Sequence, residues 1–471
     1  MSPMLAYGVP LAGLIVGLVV LRGWRARSRQ DAPALTVVGG IMSAVMAIGL
    51  FAVSDPRGLF EDFRDAYLGA GIAVHAAPAS LAPVIEKGID GFVNLPIVAY
   101  LFWPFASLST TAAVLVFSVI GLLFTLGAWH ALVRGMDLDR VSMMTLLFVF
   151  AASGPLVYSI KEGNISHFLL WPLVVAMLAL RRGDDFRAGA VLGLIALLKL
   201  PFLLFGIYYL LRGRWRVTVG GLLVCAAASL ASLAIFGWDL HVRWYEYCIE
   251  PYGRDPMPAF NVQSVQAFVL RLQLGAQGLL RWDVVPLTGW GVTLSAALVA
   301  LLYAGTLLVL WCSRQRRAGQ ATLPSPFRSP ASDAEFMLIM GLACITSPVS
   351  WSHYFCWFLL PAASFLKAAQ EPGVRAPPMR WLGWCALVIG SVPVVTIGWT
   401  DPGLAELHAR SLTSLLLFGG LAWMVWLGCQ LRGLEASSRD VRWAGRIARS
   451  TTGRSPSSMR DPISSSSGLQ S

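Results

Sequence analysis

The chain has 471 residues, of which 56% are hydrophobic and only 13% are charged. Soluble domains are roughly half apolar and about a quarter charged, so this composition excludes an ordinary soluble protein. Apolar windows of about 20 residues, long enough to cross a bilayer, recur along the whole length. Because these windows are continuously apolar and do not alternate as barrel strands do, they predict an all-α polytopic membrane protein embedded in a lipid bilayer.

The net charge of +11 comes from 36 basic and 25 acidic residues. In a soluble protein this excess would suggest a nucleic-acid partner. Here 26 of the 36 basic residues fall in loops and a tail that alternating crossings place inside. This bias follows the positive-inside rule, so we expect no nucleic acid and a multi-pass protein of the cytoplasmic (inner) membrane. The seven cysteines are scattered without a CxxC spacing, which excludes a cysteine metal site.

Three units are predicted along the chain. Residues 1–33 hold an apolar segment, 5–21, followed by four arginines, which indicates an N-out membrane anchor rather than a cleaved leader. Residues 34–431 form the main membrane domain. The arginine- and serine-rich tail, residues 432–471, is expected to be disordered on the cytoplasmic side.

A charged stretch from Glu61 to Tyr67 lies in the first long outer loop, residues 54–93. Asp62 and Asp65 are three residues apart, so they would share one face of a helix or turn. There they would form an acid–base or ion-binding pair. The simpler alternative is a solvated loop that carries surface charge.

Two apolar segments do not suit a simple crossing. Residues 94–106 are short and predict a helix in the outer interface. Residues 188–211 are broken at Lys199-Leu200-Pro201 and have basic loops at both ends. They predict two half-length helices that fold back to the cytoplasmic side. Lys199 would then either face a cavity and hold a phosphate there, or snorkel to the interface.

The other apolar segments are assigned as spans, giving about 11–13 membrane segments in all. They are residues 34–53, 110–133, 141–159, 165–180, 217–236, 287–312, 334–347, 353–367, 381–399 and 411–431. A second large outer loop, residues 237–286, contains a further interfacial helix predicted at 262–275. His353 lies in the outer turn before one short span, where it would accept a proton or bind phosphate as a cation. An interfacial histidine bonded to backbone is the alternative.

Five sequence elements follow one another in a recognisable order. They are Asp62-Phe63 with Tyr67, Asn94 with Pro96, Gly163-Asn164, Lys199 with Pro201, and Ser347-Pro348-Val349-Ser350-Trp351-Ser352-His353. In this order the chain resembles glycosyltransferase family 87, the polyprenyl-phosphate-mannose-dependent mannosyltransferases of the GT-C superfamily. The resemblance covers roughly residues 34–430, and its last element is the most specific part.

The resemblance implies a GT-C-type helical bundle with interfacial helices in its outer loops and a cavity on the outer side. It also implies inverting transfer of a hexose, most commonly mannose, from a polyprenyl-phosphate donor to a hydroxyl of a glycolipid or glycan acceptor. Neither a metal nor a cofactor is implied. Asp62 would be the general base, with Asp65 as its competitor, and Lys199 and His353 would stabilise the leaving phosphate. The other substrate-binding candidates are Arg64, Asp65, Tyr67, Asn94 and Asn164.

Two other functions fit a polytopic membrane protein. A transporter or flippase for a lipid-linked sugar would typically show paired broken helices in two repeats, whereas this sequence has one clear broken segment. A non-enzymatic scaffold would not need a lysine at membrane depth. No Walker motif, GxGxxG, HExxH or GxSxG occurs, and no stretch is long and polar enough for a soluble nucleotide-binding domain.

Overall fold

The structure is a computed structural model that describes residues 4–24, 32–53, 58–318, 330–370, 380–395 and 397–432. Over these ranges the chain is almost entirely helical. One isolated pair of bridging residues, Val262 and Trp351, is its only β-type pairing in these ranges. The predicted tail lies outside the described residues from residue 433 onwards.

The first half of the chain follows the predicted order of segments. Its helices are α1 (Val9–Trp24), α2 (Ala32–Val53), α3 (Gly69–Ala76), α4 (Ala82–Ile85), α5 (Thr110–Gly135), α6 (Arg140–Ala151), α7 (Gly154–Glu162), α8 (Leu170–Arg182), α9 (Asp185–Leu198), α10 (Leu203–Leu211) and α11 (Trp215–Trp244). A π-helical turn, Asp62–Leu68, carries most of the acidic stretch and runs directly into α3. Two 3-10 turns, Pro96–Leu101 and Trp103–Ser107, occupy the segment predicted as an interfacial helix.

The second half continues with shorter and more irregular elements. Its helices are α12 (Glu250–Arg254), α13 (Val265–Leu274), α14 (Trp290–Ala318), α15 (Pro330–Thr346), α16 (Leu359–Gln370), α17 (Arg380–Ile389), α18 (Pro402–Arg410) and α19 (415–432). A 3-10 helix, Ser352–Phe358, precedes α16 and contains His353. The turn at residues 347–351 therefore leads into 3-10 structure before the regular helix begins.

Seven helices of the described chain are long and apolar enough to cross a membrane, and an eighth span results if α6 and α7 are counted together. This confirms an all-α polytopic membrane protein. The predicted 11–13 segments also included shorter apolar helices, of which Leu200–Leu211 and Arg380–Ile389 fall below the length of a full span.

Three boundaries differ from the sequence-based expectation. The segment 141–159 is two helices bent by 48°, because Ser153 caps a new helix whose second residue is Pro155. The span predicted at 381–399 is helical only to Ile389, since Gly390 and Pro393 follow. The loop expected after it contains a regular helix, α18, which Asp401 caps through a hydrogen bond to the Leu404 amide.

The helix predicted at residues 262–275 is present as α13, and its interfacial position stays a prediction. Its residues are buried or half-buried inside the protein, and Arg271 is fully buried. The Arg271 guanidinium donates to the backbone carbonyls of Pro258, Ala259 and Val262 and to the Ser414 hydroxyl. A buried cation needs such acceptors, and here it fixes the outer loop against the start of α19.

The broken segment forms a hairpin of two helices, α9 and α10, as predicted. Lys199 has an extended backbone (φ −143°, ψ 95°) between Leu198 and the 3-10 turn Leu200–Phe202. Arg214, just after α10, donates to the carboxylate of Asp185 at the start of α9, with 3.1 Å between Nε and Oδ2. The start of α9 and the end of α10 therefore meet at the base of the hairpin, and Lys199 lies at its tip. The side of the membrane on which these ends lie stays a prediction.

Small residues let this hairpin pack closely against α11. Gly189 and Gly193 are four residues apart, and a Cβ at Gly189 would lie 1.9 Å from the Val217 carbonyl oxygen. A Cβ at Gly220 would meet the Phe186 carbonyl oxygen at 2.3 Å. Such close contacts between small residues favour helix association in a bilayer. Lipid tails are as apolar as the side chains, so the hydrophobic effect contributes little there.

Ion pairs tie the base of the hairpin to α15. Arg181 donates to Asp333 with 2.8 Å between Nε and Oδ1. Arg212 and the Tyr208 hydroxyl both donate to Glu335, over 3.1 and 2.7 Å to the same carboxylate oxygen. Asp333 and Glu335 are almost fully buried, so paired partners are required there.

The ion pair at the hairpin base should matter for stability. Asp185→Asn removes the carboxylate partner of Arg214, whose side chain is only 5% exposed. We expect a loss of about 3–5 kcal/mol in the free energy of unfolding, measured by denaturant titration in detergent. Asp184→Asn is the matched control, because Asp184 faces exposed arginines over 3.9 and 4.0 Å and should cost under about 1 kcal/mol. Equal losses in both variants would contradict the assignment.

Candidate active site

Aromatic packing fixes the orientation of the acidic helix turn. Phe63 is fully buried and stacks on Phe117, with 4.1 Å between the ring centroids. Tyr67, four residues later, is 4% exposed and stacks on Phe102 at 4.8 Å. Because these two side chains anchor one side of the turn in the core, Asp62 is held against the loop that joins α7 to α8.

That loop is shaped by a glycine. Gly163 ends α7 with φ 69°, and a Cβ there would approach the Phe63 Cβ to 2.6 Å. The Phe60 amide donates to the Lys161 carbonyl over 2.7 Å, which attaches the acidic segment to the loop. A larger residue at position 163 would push the two segments apart.

Asn164 makes the direct contact with the predicted base. Its side-chain Nδ2 donates to Asp62 Oδ2 over 2.6 Å. Its Oδ1 accepts from the amide and hydroxyl of Ser166 over 3.0 and 2.8 Å. Because those donors occupy Oδ1, the amide group of Asn164 is turned to present its N–H to the carboxylate.

Lys199 approaches the same place from the tip of the hairpin. Its Nζ donates to the Tyr354 hydroxyl over 3.3 Å and lies 4.6 Å from the centre of the Tyr354 ring. The charges of Lys199 and Asp62 act on each other. Asn94 holds the break open by donating to the Leu198 carbonyl over 2.7 Å, which occupies an acceptor that the interrupted helix leaves free.

His353 is buried between two aromatic rings. Trp351 stacks on one side at 6.1 Å and Tyr158 on the other at 6.4 Å. The turn that carries it is fixed by Ser352, whose amide donates to the Asn261 carbonyl over 2.7 Å. His353 is 4% exposed, yet neither of its ring nitrogens has a hydrogen-bond partner among the described residues. Buried polar atoms without partners are uncommon and mark a place where a ligand is expected.

The structure thus brings together most of the residues selected from the sequence. Asp62, Asn164 and Lys199 lie in one cluster, and Asn94 and Tyr67 border it. His353 directly precedes Tyr354, the hydrogen-bond partner of Lys199, which places that ring near the cluster. The other two candidates, Arg64 and Asp65, are exposed on the acidic turn. Their roles stay predictions, but their placement distinguishes Asp62 from Asp65, which the spacing of the two aspartates left open.

Burial sets the acidity of Asp62. Asp62 is half-buried, and the desolvation of its carboxylate raises its pKa. The hydrogen bond from Asn164 and the charge of Lys199 act in the opposite direction and favour the ionised form. A carboxylate with a raised pKa is a stronger base, which suits the acceptance of a proton.

Three side chains of the cluster were not selected from the sequence. Tyr354 follows His353 directly, and Tyr158 and Glu162 lie one helical turn apart on α7. The spacing of Tyr158 and Glu162 indicated a shared face, but nothing in the sequence placed that face beside Asp62. Among the described residues, no group of three or more His, Cys, Asp or Glu side chains is placed to hold a metal ion.

Residues 92–325 match the model of Glycosyltransferase family 87. The chain is a glycosyltransferase, and it is similar to this family. The matched region contains Asn94, Asn164 and Lys199, whereas Asp62 and His353 lie on either side of it. The order of motifs had pointed to this family, and the match confirms that resemblance.

Curated relatives agree with the family. A polyprenol-phosphate-mannose-dependent alpha-(1-2)-phosphatidylinositol mannoside mannosyltransferase of Mycolicibacterium smegmatis is 25% identical over 75% of this chain and 78% of its own length. A protein of the same description from Mycobacterium tuberculosis is 26% identical over 68% of this chain and 70% of its own. A pentamannoside mannosyltransferase of M. smegmatis is 24% identical over 67% and 70%. No solved structure matches this glycosyltransferase significantly.

The hydrogen bond from Asn164 predicts a pH effect. Asn164→Ala removes a contact that favours ionised Asp62, so the pKa of Asp62 rises further. Since a general base acts in its ionised form, the acidic limb of the transfer rate should move to higher pH. Initial rates of glycosyl transfer from about pH 4 to about pH 8 measure this shift, because an ordinary carboxyl group has a pKa of about 4. Asp90→Asn, an exposed carboxylate, is the control, and an unmoved limb in Asn164→Ala would contradict the role of Asp62.

Proposed function

We propose that this glycosyltransferase moves a mannosyl group from a polyprenyl-phosphate donor to a hydroxyl of a glycolipid acceptor, with inversion. The reaction takes place on the outer side of the cytoplasmic membrane, within residues 34–431. The donor and the acceptor class rest on the relatives, whose names specify polyprenol-phosphate-mannose and phosphatidylinositol mannosides.

One observation carries the chemical part of the proposal. The half-buried carboxylate of Asp62 accepts a hydrogen bond from Asn164, and the cation Lys199 lies in the same cluster. Transfer from a lipid phosphate needs a base for the acceptor hydroxyl and a positive group for the departing phosphate. Both groups are present, and the lysine at membrane depth suits a phosphate attached to a lipid chain.

The proposed step conserves atoms and charge. Asp62 takes the proton of the acceptor hydroxyl as its oxygen forms a bond to the anomeric carbon. The bond from that carbon to the phosphate oxygen breaks on the opposite face, and its electron pair leaves with the polyprenyl phosphate. Lys199 stabilises the added negative charge, and His353 is the second group in reach of the phosphate. Protonated Asp62 then returns its proton to water.

The relatives also suggest which hydroxyl attacks. Their names specify an alpha-(1-2) linkage, so the acceptor is a mannose residue that reacts through its 2-hydroxyl. A transporter for a lipid-linked sugar is not favoured, because the family and these relatives are transferases. A membrane scaffold likewise does not explain why a carboxylate, Asp62, and an ammonium group, Lys199, lie in one cluster.

Loss of the base should remove transfer. Asp62→Asn keeps the shape and the contact with Asn164 but cannot accept the proton. We expect kcat to fall about 100- to 10,000-fold, the usual contribution of a general base. The assay uses purified protein, a polyprenyl-phosphate mannose and an alkyl α-mannoside acceptor, with product measured by mass spectrometry. Glu250→Gln, an exposed carboxylate, is the control. Undiminished transfer by Asp62→Asn would remove Asp62 from the mechanism.

The outer position of the site can be tested separately. Glu250→Cys and Arg187→Cys, each introduced with Cys385→Ser, place one exposed thiol at each predicted side. A membrane-impermeant maleimide should label position 250 in intact cells and position 187 only after permeabilisation. The Cys385→Ser parent gives the background. Labelling in the reverse pattern would contradict the topology while leaving the chemistry of the cluster intact.

A further inference from the structure

Glu162 is a second carboxylate beside the base, and the step described above does not use it. It ends α7, two residues before Asn164, and its side chain is 14% exposed. Asn164 is bonded to Asp62 over 2.6 Å, so the loop that follows Glu162 lies directly against the base. Glu162 is thus close to the base but remains open to a ligand.

Its protein contacts leave acceptor capacity on the carboxylate. Lys161 Nζ lies 3.4 Å from Oε1, which is a weak contact. Tyr158 lies one helical turn before Glu162 on the same face of α7, so its hydroxyl is the other protein group next to the carboxylate. An ionised carboxylate accepts about four hydrogen bonds, so roughly half of its capacity is still available for hydroxyl groups.

Tyr158 holds Glu162 in place and joins it to His353. The Tyr158 hydroxyl accepts from Asn261 Nδ2 over 3.1 Å, which leaves its own proton for Glu162. The Tyr158 ring stacks on His353, whose two ring nitrogens lack partners among the described residues although the side chain is 4% exposed. This independent feature points to a ligand that reaches the space beside Tyr158.

Charge restricts what that ligand presents to Glu162. Two neighbouring carboxylates repel a phosphate, so the anionic part of either substrate is excluded from this side of the cluster. A neutral group rich in hydroxyl donors fits instead. Sugar hydroxyls on adjacent carbons would reach Asp62 and Glu162 together, one losing its proton and the other only donating a hydrogen bond.

We propose that Glu162 binds the acceptor sugar through the hydroxyl next to the attacking one, and that Tyr158 is its positioning residue. This inference rests on the proposed function. With attack by the 2-hydroxyl of a mannose residue, the neighbour that Glu162 binds is the 3-hydroxyl. Glu162 thereby helps to determine which hydroxyl faces Asp62, because a sugar held at carbon 3 presents carbon 2 to the base.

The experiment compares acceptors rather than absolute rates. Wild type, Glu162→Gln, Tyr158→Phe and Glu250→Gln are assayed with octyl α-mannoside and with its 3-deoxy and 4-deoxy analogues. The quantity is the ratio of kcat/KM for the mannoside to that for each analogue. This ratio does not depend on the fraction of folded enzyme, so a partly misfolded variant still gives a valid answer.

Wild type and Glu250→Gln should prefer the mannoside over its 3-deoxy analogue by about 10- to 100-fold, the range for a hydrogen bond to a charged group. Glu162→Gln should reduce that preference to within about threefold, while Tyr158→Phe should reduce it partly. The preference over the 4-deoxy analogue should stay as in wild type.

Three results would overturn the inference. An unchanged 3-deoxy ratio in Glu162→Gln would show that Glu162 has only a structural role. A collapse of the 4-deoxy ratio instead would assign Glu162 to a different hydroxyl. In both cases wild type still makes product, so the proposed function stands. If wild type transfers mannose to none of the mannosides, the proposed function and this inference fail together.

Discussion

The structure depends on one cation at the tip of a hairpin. A lysine at membrane depth must be paired or solvated, and the break at Lys199 places its ammonium group beside Tyr354 and within the influence of Asp62. The broken helix requires its own compensation, which Asn94 supplies by donating to the Leu198 carbonyl. The same break in the helix brings Tyr354 and Asn94 close to Lys199.

The opposite end of the hairpin shows how that tip is held. Asp185 and Arg214 join its two helices, and Glu335 connects Arg212 to α15. Because α15 leads to the turn before His353, one helix links the base of the hairpin to the histidine on the far side of the cluster. Buried pairs of this kind contribute little net stability, but each partner constrains the position of the other. Their effect here is to fix the distance between the elements that carry Lys199 and His353.

The acidic turn joins the cluster through packing rather than charge. Phe63 and Tyr67 occupy the core, and Gly163 allows the neighbouring loop to touch them. A carboxylate placed in this way is desolvated, which raises its pKa, and it is then tuned in the opposite direction by Asn164 and Lys199. In the proposed reaction these contacts make Asp62 a base, while Glu162 on the adjoining helix binds the sugar that Asp62 activates.

Sequence alone determined the class of protein, the family and the break at Lys199, because hydrophobic runs, motif order and a proline are local properties. It also selected Asp62, Asn164 and Lys199 one by one. Only the tertiary structure distinguished Asp62 from Asp65. The buried rings of Phe63 and Tyr67 orient the turn so that Asp62 is half-buried and Asp65 is exposed. The tertiary structure likewise decided that α13 is buried and that Tyr158 and Glu162 border the site. Those outcomes depend on contacts between segments about 100 residues apart, such as Asn164 with Asp62, which no local pattern encodes.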